Sequence, residues 1–161
     1  FNLLKGNNPT YTIEGNSDFI INNFSSTNIK LKTDKYYEIN LDNFYKKKAI
    51  NYIFNEPFQF FLNYIKKVFA FLFLDLNSSY NNYYNFFHII PKLLLSISSI
   101  LGISILLKKK GFGQYISCYF ILSILFFSIF FILPRYNLIL LPIQVLVTVD
   151  LFKYILRKFF N

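Results

Sequence analysis

Arg135 and Tyr136 stand between two long apolar runs and are the residues of this 161-residue sequence best suited to chemistry. The stretch FILPRYNLILLPIQVLVTVD, residues 131–150, places this single cation between Pro134 and Pro142, which both interrupt a helix. A cation costs roughly 3 kcal/mol at the centre of a bilayer, so it belongs at an interface or in a water-filled site. The pattern therefore predicts a tight turn at one membrane face that presents Arg135 and Tyr136.

Lys66, Lys67 and Lys92 add further cations beside apolar runs. Guanidinium and ammonium groups at a membrane surface suit a lipid phosphate or pyrophosphate. Interface anchoring is the simpler explanation for each lysine taken singly. Arg135 differs from them, because a turn of so few residues has little structural reason to hold a cation.

Other kinds of chemistry find little support in the sequence. His88 is the only histidine and Cys118 the only cysteine, so the sequence predicts neither a metal cluster nor an internal disulfide. It has no glycine-rich phosphate loop, and no close pair of acids lies in an apolar setting. We therefore expect no metal, no nucleotide and no other cofactor.

The distribution of apolar residues predicts an all-α membrane protein. Hydrophobic residues make up 54% of the chain and concentrate after Phe86. Three runs, over residues 89–107, 112–133 and 136–156, are long enough to cross ~30 Å of hydrocarbon. The formal charge of +9 does not indicate nucleic acid, because the lysines flank these runs as at the cytoplasmic ends of membrane helices.

The basic clusters predict the orientation of the three spans. Residues 108–110 are lysines that join the first two spans, and Lys153, Arg157 and Lys158 end the third. Both clusters then lie in the cytoplasm, and the Arg135 turn lies on the outer face together with residues 1–85. We expect a multi-pass protein of the cell (inner) membrane with a cytoplasmic C-terminus.

The sequence divides into three parts on this prediction: an extracytoplasmic loop segment (1–56), an interfacial helix with a polar loop (57–85) and the three-helix membrane region (86–161). Residues 58–74 are strongly apolar, but Lys66 and Lys67 lie at their centre. A helix in the interface lets both lysines reach water, whereas a spanning helix buries them, so we favour the interfacial helix.

Two smaller features complete this prediction. Residues 6–9, Gly-Asn-Asn-Pro, form one predicted turn, and a helix is predicted over 40–55. Within the first span, Ser98 and Gly102 are four residues apart, a spacing of small residues that allows close helix packing. The sequence has no methionine, and we expect it to be the C-terminal piece of a longer protein.

Three stretches resemble the C-terminal part of bacterial GT-C glycosyltransferases of the dolichyl-phosphate-mannose-protein mannosyltransferase-like kind, which includes the aminoarabinose transferases. The stretch FNLLKGNNP (1–9) is similar to the family's loop opening, N-L-Y-x-G-N-N-P. Residues 49–71 are similar to its A-x-x-Y-I-x-x-N-P-x-x-F-x-x-L-x-x-x-K helix pair. RYNLILLP (135–142) is similar to its R-Y-x-x-P-x-x-P turn, although of the two prolines only Pro142 is present.

The resemblance implies a fragment of a larger GT-C fold that transfers a sugar from a polyprenyl-phosphate carrier to an extracytoplasmic acceptor. It implies that Gly6, Asn7 and Asn8 shape a loop over the active-site cavity. It also implies that Arg135, with Lys66 or Lys67, contacts the carrier phosphate. The family's catalytic base lies near the N-terminus of the full protein, so the resemblance assigns no catalytic residue here.

Two other interpretations stay open. A non-enzymatic three-span anchor or accessory subunit needs no missing N-terminal part. A transporter fragment needs polar residues along the spans, and these spans hold only serines, Cys118, Gln114 and Gln144. Under the enzyme interpretation the partners are the sugar donor, membrane lipids and the missing N-terminal part of the same polypeptide.

Overall fold

The computed structural model describes residues 1–24, 35–75, 78, 85–108 and 111–160. These residues form seven α-helices and one 3₁₀ helix, with no β-strand among them, which confirms the all-α class. In chain order the helices are α1 (Asn2–Gly6), α2 (Ser17–Asn23), α3 (Tyr37–Asn55), α4 (Pro57–Leu72), α5 (Phe86–Leu106), α6 (Phe112–Phe127), the 3₁₀ helix (Pro134–Ile139) and α7 (Leu141–Phe160).

The chain divides into two compact units. Unit 1 comprises Phe1–Val68 with Phe127–Ile132, and unit 2 comprises Phe69–Phe126 with Leu133–Asn161. These bounds differ from the predicted division after residues 56 and 85. The predicted division separated an outer segment, an interfacial helix with its loop and a membrane region, and it stays a prediction.

Unit 1 has a small hydrophobic core that the sequence did not predict, although α3 confirms the helix predicted over 40–55. Leu4 of α1, Ile20 of α2 and Ala49 of α3 are buried together. Partly buried hydrophobic side chains pack around them: Leu3, Phe19, Phe24, Tyr45 and Tyr52. Burial of these side chains stabilises the helices, and their contacts join residues far apart in the sequence, so no local pattern revealed them.

In unit 2, α5 packs closely against α7 at Gly102. A Cβ atom on Gly102 would lie 2.5 Å from Val147 Cγ1 and 2.8 Å from the Val147 carbonyl oxygen. One turn earlier, the hydroxyls of Ser98 and Thr148 lie 2.9 Å apart. The predicted close packing at Ser98 and Gly102 is therefore confirmed, because only a residue without a side chain fits at this crossing.

The polarity of α5 is opposite to that of a water-soluble helix. Ser96 and Ser99 are buried, whereas Leu94, Ile97 and Leu101 are exposed. Ser96 donates a hydrogen bond to the Leu72 carbonyl oxygen, and Ser99 donates one to the Ser96 carbonyl oxygen at 2.9 Å. Small polar residues inside and large apolar residues outside are typical of helices that lie in lipid.

Of the described helices, α5 alone is both long and apolar enough to cross a membrane by length and composition. Helix α6 has 16 residues and ends at Phe127, six residues before the predicted end. Helix α7 begins at Leu141, five residues later than predicted, and carries Asp150 and three basic residues. The three-span count is therefore not established by the helices themselves.

The chain between α6 and the 3₁₀ helix is held in a non-helical conformation in two ways. Leu133 precedes Pro134 and is extended, with φ −102° and ψ 150°, because proline disfavours the helical conformation in the residue before it. Within unit 1, the Ile132 N–H donates to the Ile13 carbonyl oxygen at 2.9 Å, and the Ile129 carbonyl oxygen accepts from Asn7 at 2.8 Å. These contacts replace hydrogen bonds that a longer helix would make.

Candidate functional site

Arg135 is exposed on a turn whose backbone is firmly held. The Tyr136 N–H donates to the Leu133 carbonyl oxygen at 2.9 Å, and the Leu140 N–H donates to that of Asn137 at 3.0 Å. The buried Asn137 side chain donates to the Phe71 carbonyl oxygen at 2.9 Å. The 3₁₀ helix thus confirms the predicted turn, and it presents an arginine that has no hydrogen-bond or ion-pair partner in the described part of the chain.

A pocket of about 240 Å³ lies in unit 2 beside this turn. It is formed by the first three turns of α5, the end of the 3₁₀ helix and the first turn of α7. We call it the unit 2 pocket, and its lining residues are Phe87, His88, Pro91, Lys92, Leu95, Asn137, Leu138, Leu141 and Gln144. No acidic side chain is among them, so the charged group of the pocket is the Lys92 ammonium.

Local sequence explains how α5 brings its residues to the pocket. Asn85 caps the helix, because its side chain accepts from the His88 N–H at 3.0 Å. His88 and Lys92, four residues apart, then lie on one face of the helix. His88 Nδ1 lies 2.8 Å from the Asn85 side-chain oxygen. The sequence offered no site for His88 beyond excluding a metal cluster, and the structure places it at the pocket.

Gln144 is the pocket residue whose importance the sequence did not reveal. Its side chain is only 2% exposed, and its Nε2 atom has no hydrogen-bond acceptor among the described residues. A buried amide donor without an acceptor costs roughly 1–3 kcal/mol. The one available signal was a polar residue two positions after Pro142, within the apolar first part of α7.

In unit 1, the predicted Gly6–Asn8 loop is a hydrogen-bonded cluster around Lys67. The Lys67 ammonium donates to the Gly6 carbonyl oxygen at 2.7 Å and to Asn7 Oδ1 at 3.0 Å. Asn7 Nδ2 in turn donates to the carbonyl oxygens of Leu3 at 2.9 Å and Ile129 at 2.8 Å. We call Gly6, Asn7 and Lys67 the Lys67 cluster.

Asn8 continues this network along the chain. Its Nδ2 atom donates to the carbonyl oxygens of Leu4 at 3.2 Å and Lys5 at 2.9 Å. Its Oδ1 atom accepts from the Thr10 N–H at 3.0 Å and from the Thr10 hydroxyl at 2.5 Å. Asn8 therefore fixes the chain that leaves α1, and its side chain is occupied by backbone contacts.

The adjacent residues Lys66 and Lys67, which the sequence did not distinguish, differ in their exposure. Lys66 is exposed, whereas Lys67 is 0% exposed. Burial lowers the pKa of the Lys67 ammonium to about 7, and its two oxygen acceptors favour the protonated form. A fully enclosed amine with two protein acceptors is not placed to bind a phosphate at the surface. These contacts give Lys67 a structural role within unit 1, and its predicted contact with a lipid phosphate stays a prediction.

The predicted site residues belong to different units. Arg135 and Tyr136 lie in unit 2, and Tyr136 is partly buried. Lys66 and the Lys67 cluster lie in unit 1. Among the described residues, no group of histidine, cysteine and acidic side chains is placed to hold a metal ion.

Comparison of the chain with family models, curated proteins and solved structures finds no match. The resemblance to GT-C glycosyltransferases therefore rests on the three sequence stretches alone. The fold and the pocket define an all-α protein with a candidate membrane helix and a cationic pocket beside an exposed arginine. Any enzymatic activity is a matter of proposal.

Proposed function

We propose that the chain is the C-terminal portion of an integral-membrane glycosyltransferase. It transfers a sugar from a polyprenyl-phosphate carrier to an extracytoplasmic acceptor. The observation that carries this proposal is the exposed Arg135 on its rigid turn, beside a pocket that contains Lys92. Phosphate is the anion that such a pair of cations at a membrane surface suits best.

The membrane part of the proposal has support from α4 as well as α5. On α4, Phe58, Phe61 and Ile65 are exposed, whereas Asn63 and Lys67 are buried. Phe58 is the most exposed of these three, at 68%. Such a helix has its apolar face outward, as expected for a helix that lies in the membrane interface. In this proposal Lys66 contacts the phosphates of the surrounding bilayer lipids.

The proposed arrangement has three spans: α5, the segment from α6 to Leu133, and α7. The basic residues at the end of α5 and in the last turns of α7 then share the cytoplasmic side. The Arg135 turn and unit 1 then belong to the outer face. This sidedness is what an extracytoplasmic transfer reaction requires.

Cysteine labelling tests this arrangement. In a protein whose native Cys118 is replaced by alanine, Asp18→Cys is expected to react with a membrane-impermeant maleimide in intact cells. Asp18 is exposed in the first turn of α2, two residues from Asn16. Lys108→Cys, exposed just after α5, is the matched control and is expected to react only after lysis. The reverse pattern, or labelling of both only after lysis, would exclude the three-span arrangement.

In the proposed reaction, an acceptor oxygen forms a bond to the anomeric carbon of the sugar while the bond from that carbon to the carrier phosphate breaks. The carrier phosphate leaves as an anion, and the acceptor proton passes to a base in the missing N-terminal part. Arg135 stabilises the charge that develops on the leaving phosphate, and Tyr136 lies beside it. A role of the Gly6–Asn8 loop above the active site stays a prediction from the resemblance.

Replacing Arg135 tests its part in the reaction. In the intact enzyme, Arg135→Ala is expected to lower transfer by on the order of 100-fold at unchanged expression, because one donor to developing charge contributes this much. Arg135→Lys keeps the charge but loses the planar donors, so its transfer rate is expected to lie between those of the wild type and Arg135→Ala. Arg157→Ala, in the last turn of α7, is the control and keeps full transfer. Equal transfer by Arg135→Ala and Arg157→Ala would remove Arg135 from the site.

The alternative is a three-span anchor or accessory subunit without activity. The upstream coding sequence distinguishes the two proposals. The enzyme needs several further spans and an acidic residue in the first outer loop, whereas a short reading frame that starts just before Phe1 favours the anchor.

A further inference from the structure

The unit 2 pocket has one apolar side and one donor side. Its apolar lining consists of Phe87, Pro91, Leu95, Leu138 and Leu141. At about 240 Å³ it is slightly smaller than pockets that enclose a whole small-molecule ligand. It therefore has room for a head group and a short length of chain rather than for an entire lipid.

The donor side consists of the Gln144 amide and the Lys92 ammonium. Gln144 Nε2 is buried and unpaired within the described part of the chain. The Lys92 ammonium is half-buried there and has no acidic neighbour in the lining. A bound oxyanion would accept hydrogen bonds from both groups, and hydrogen bonds to charged partners contribute about 1.5–3 kcal/mol each.

Gln144 is the more informative of the two. A lysine in the first turns of a membrane helix has an anchoring explanation, since its chain can extend to the interface. A glutamine at 2% exposure has no such explanation, because an enclosed amide donor without an acceptor costs free energy that an acceptor on a ligand would recover. Its place in the pocket lining therefore indicates a ligand that it contacts.

We propose that the unit 2 pocket binds the phosphate monoester head of an isoprenoid lipid. Phosphate oxygens accept from Lys92 Nζ and Gln144 Nε2, and the first carbons of the chain lie along the leucines, Phe87 and Pro91. The identification of the lipid as the sugar carrier rests on the proposed function. The recognition of a phosphate joined to an apolar chain rests on the pocket alone.

Titration calorimetry of the purified intact protein in uncharged detergent tests this proposal, with empty micelles as the blank. The probes are geranyl phosphate, geraniol and inorganic phosphate, which separate the whole ligand from its apolar and anionic parts. Geranyl phosphate is expected to bind at least tenfold more tightly than either part. If inorganic phosphate binds equally tightly, the pocket takes free phosphate, and if geraniol does, it is only an apolar cleft; either result overturns the proposal.

Variants of the two proposed donors test whether geranyl phosphate binds in the unit 2 pocket. Gln144→Leu is expected to weaken geranyl phosphate binding roughly tenfold and to fold normally, because it removes an unpaired amide. Gln144→Glu is expected to weaken it further by placing an anion against the phosphate. Lys92→Met is expected to weaken it about 10- to 100-fold, whereas Lys92→Arg retains most of the affinity. Lys47→Met, at an exposed lysine of α3, makes the same charge change and is expected to have no effect.

Equal affinity in all of these variants would refute the pocket assignment. The outcome is separable from that of the proposed function. If transfer depends on Arg135 but geranyl phosphate binding is unchanged by the Lys92 and Gln144 variants, only the pocket assignment is contradicted. If the Lys92 and Gln144 variants weaken geranyl phosphate binding but the protein transfers no sugar, only the proposed function is contradicted.

Discussion

Lys67→Met is expected to remove a pH-dependent part of the protein's stability. At pH 9.5 the variant should be less stable than the wild type by about 1–3 kcal/mol, because the Gly6 carbonyl oxygen and Asn7 Oδ1 lose their donor. As the pH falls to 7.5, the wild type should lose roughly 2–3 kcal/mol of stability relative to the variant, so the difference closes or reverses. Unfolding of the purified protein in mild detergent, measured at several pH values, gives both quantities.

The direction of this pH dependence follows from the lowered pKa of Lys67. Its folded-state pKa is about 7, against an ordinary value of 10.5, so between these values the unfolded chain binds more protons. Wild-type stability therefore rises with pH in this window, by up to about 1.4 kcal/mol per pH unit. Well below pH 7 the Lys67 amine is protonated in both states, and its contribution to stability no longer changes with pH.

The adjacent Lys66 is the matched control. Lys66→Met makes the same chemical change at an exposed position, so its difference from the wild type should be small and independent of pH. If Lys66→Met and Lys67→Met show the same pH dependence, Lys67 is not enclosed as described, and the structural role assigned to the Lys67 cluster is wrong.

Gly6→Ala is expected to destabilise unit 1 by about 2–3 kcal/mol, which corresponds to a fall in Tm of roughly 5–10 °C. A Cβ atom at this position would lie 2.5 Å from the Phe130 carbonyl carbon and 2.8 Å from the Phe131 nitrogen, and it would also contact the Phe130 oxygen. These are backbone atoms, which cannot move aside as the end of a side chain can. Thermal unfolding in detergent measures the effect.

Gly113→Ala provides the comparison. A Cβ atom there would lie 3.0 Å from Leu106 Cδ2, the end of a flexible side chain, and alanine favours the helix more than glycine does. The free energy of unfolding of this variant is expected to stay within about 1 kcal/mol of the wild-type value. A Gly6→Ala variant as stable as Gly113→Ala would show that the chain near Phe130 does not pack on Gly6.

Local patterns predicted the elements whose causes are local. The bounds of α4 and α5 differ by one to three residues from those predicted, because Pro57 begins one helix and Asn85 caps the other. The turn at Pro134 was predicted from the proline and its neighbours. The close approach at Gly102 was predicted from the spacing of small residues.

Distant contacts explain most of what the sequence did not reveal. Lys67 lies 60 residues from Asn7, so no local pattern distinguishes it from Lys66. The end of α6 depends on Asn7, which lies 122 residues from Ile129. The core of unit 1 joins Leu4 to Ala49 in the same way. The helix predicted over 40–55 is confirmed as α3, whereas the helices α1 and α2 that pack against each other and α3 were not predicted.

The candidate site was only half accessible to sequence reasoning. Arg135 was identified because a cation between apolar runs is conspicuous. Gln144 was noted only as one of a few polar residues within the spans, since its burial and its unpaired amide are properties of the folded chain. Pocket composition, rather than a motif, is what links Gln144 to Lys92.

Mass spectrometry of carrier lipids tests the central claim most directly, because it needs no knowledge of the sugar. Cells without the intact protein are expected to accumulate a glycosylated polyprenyl monophosphate. The wild-type gene should clear this lipid, and Arg135→Ala, at equal expression, should not. A carrier-lipid pool that is unchanged by loss of the protein would contradict the claim that this chain belongs to a polyprenyl-phosphate-dependent glycosyltransferase.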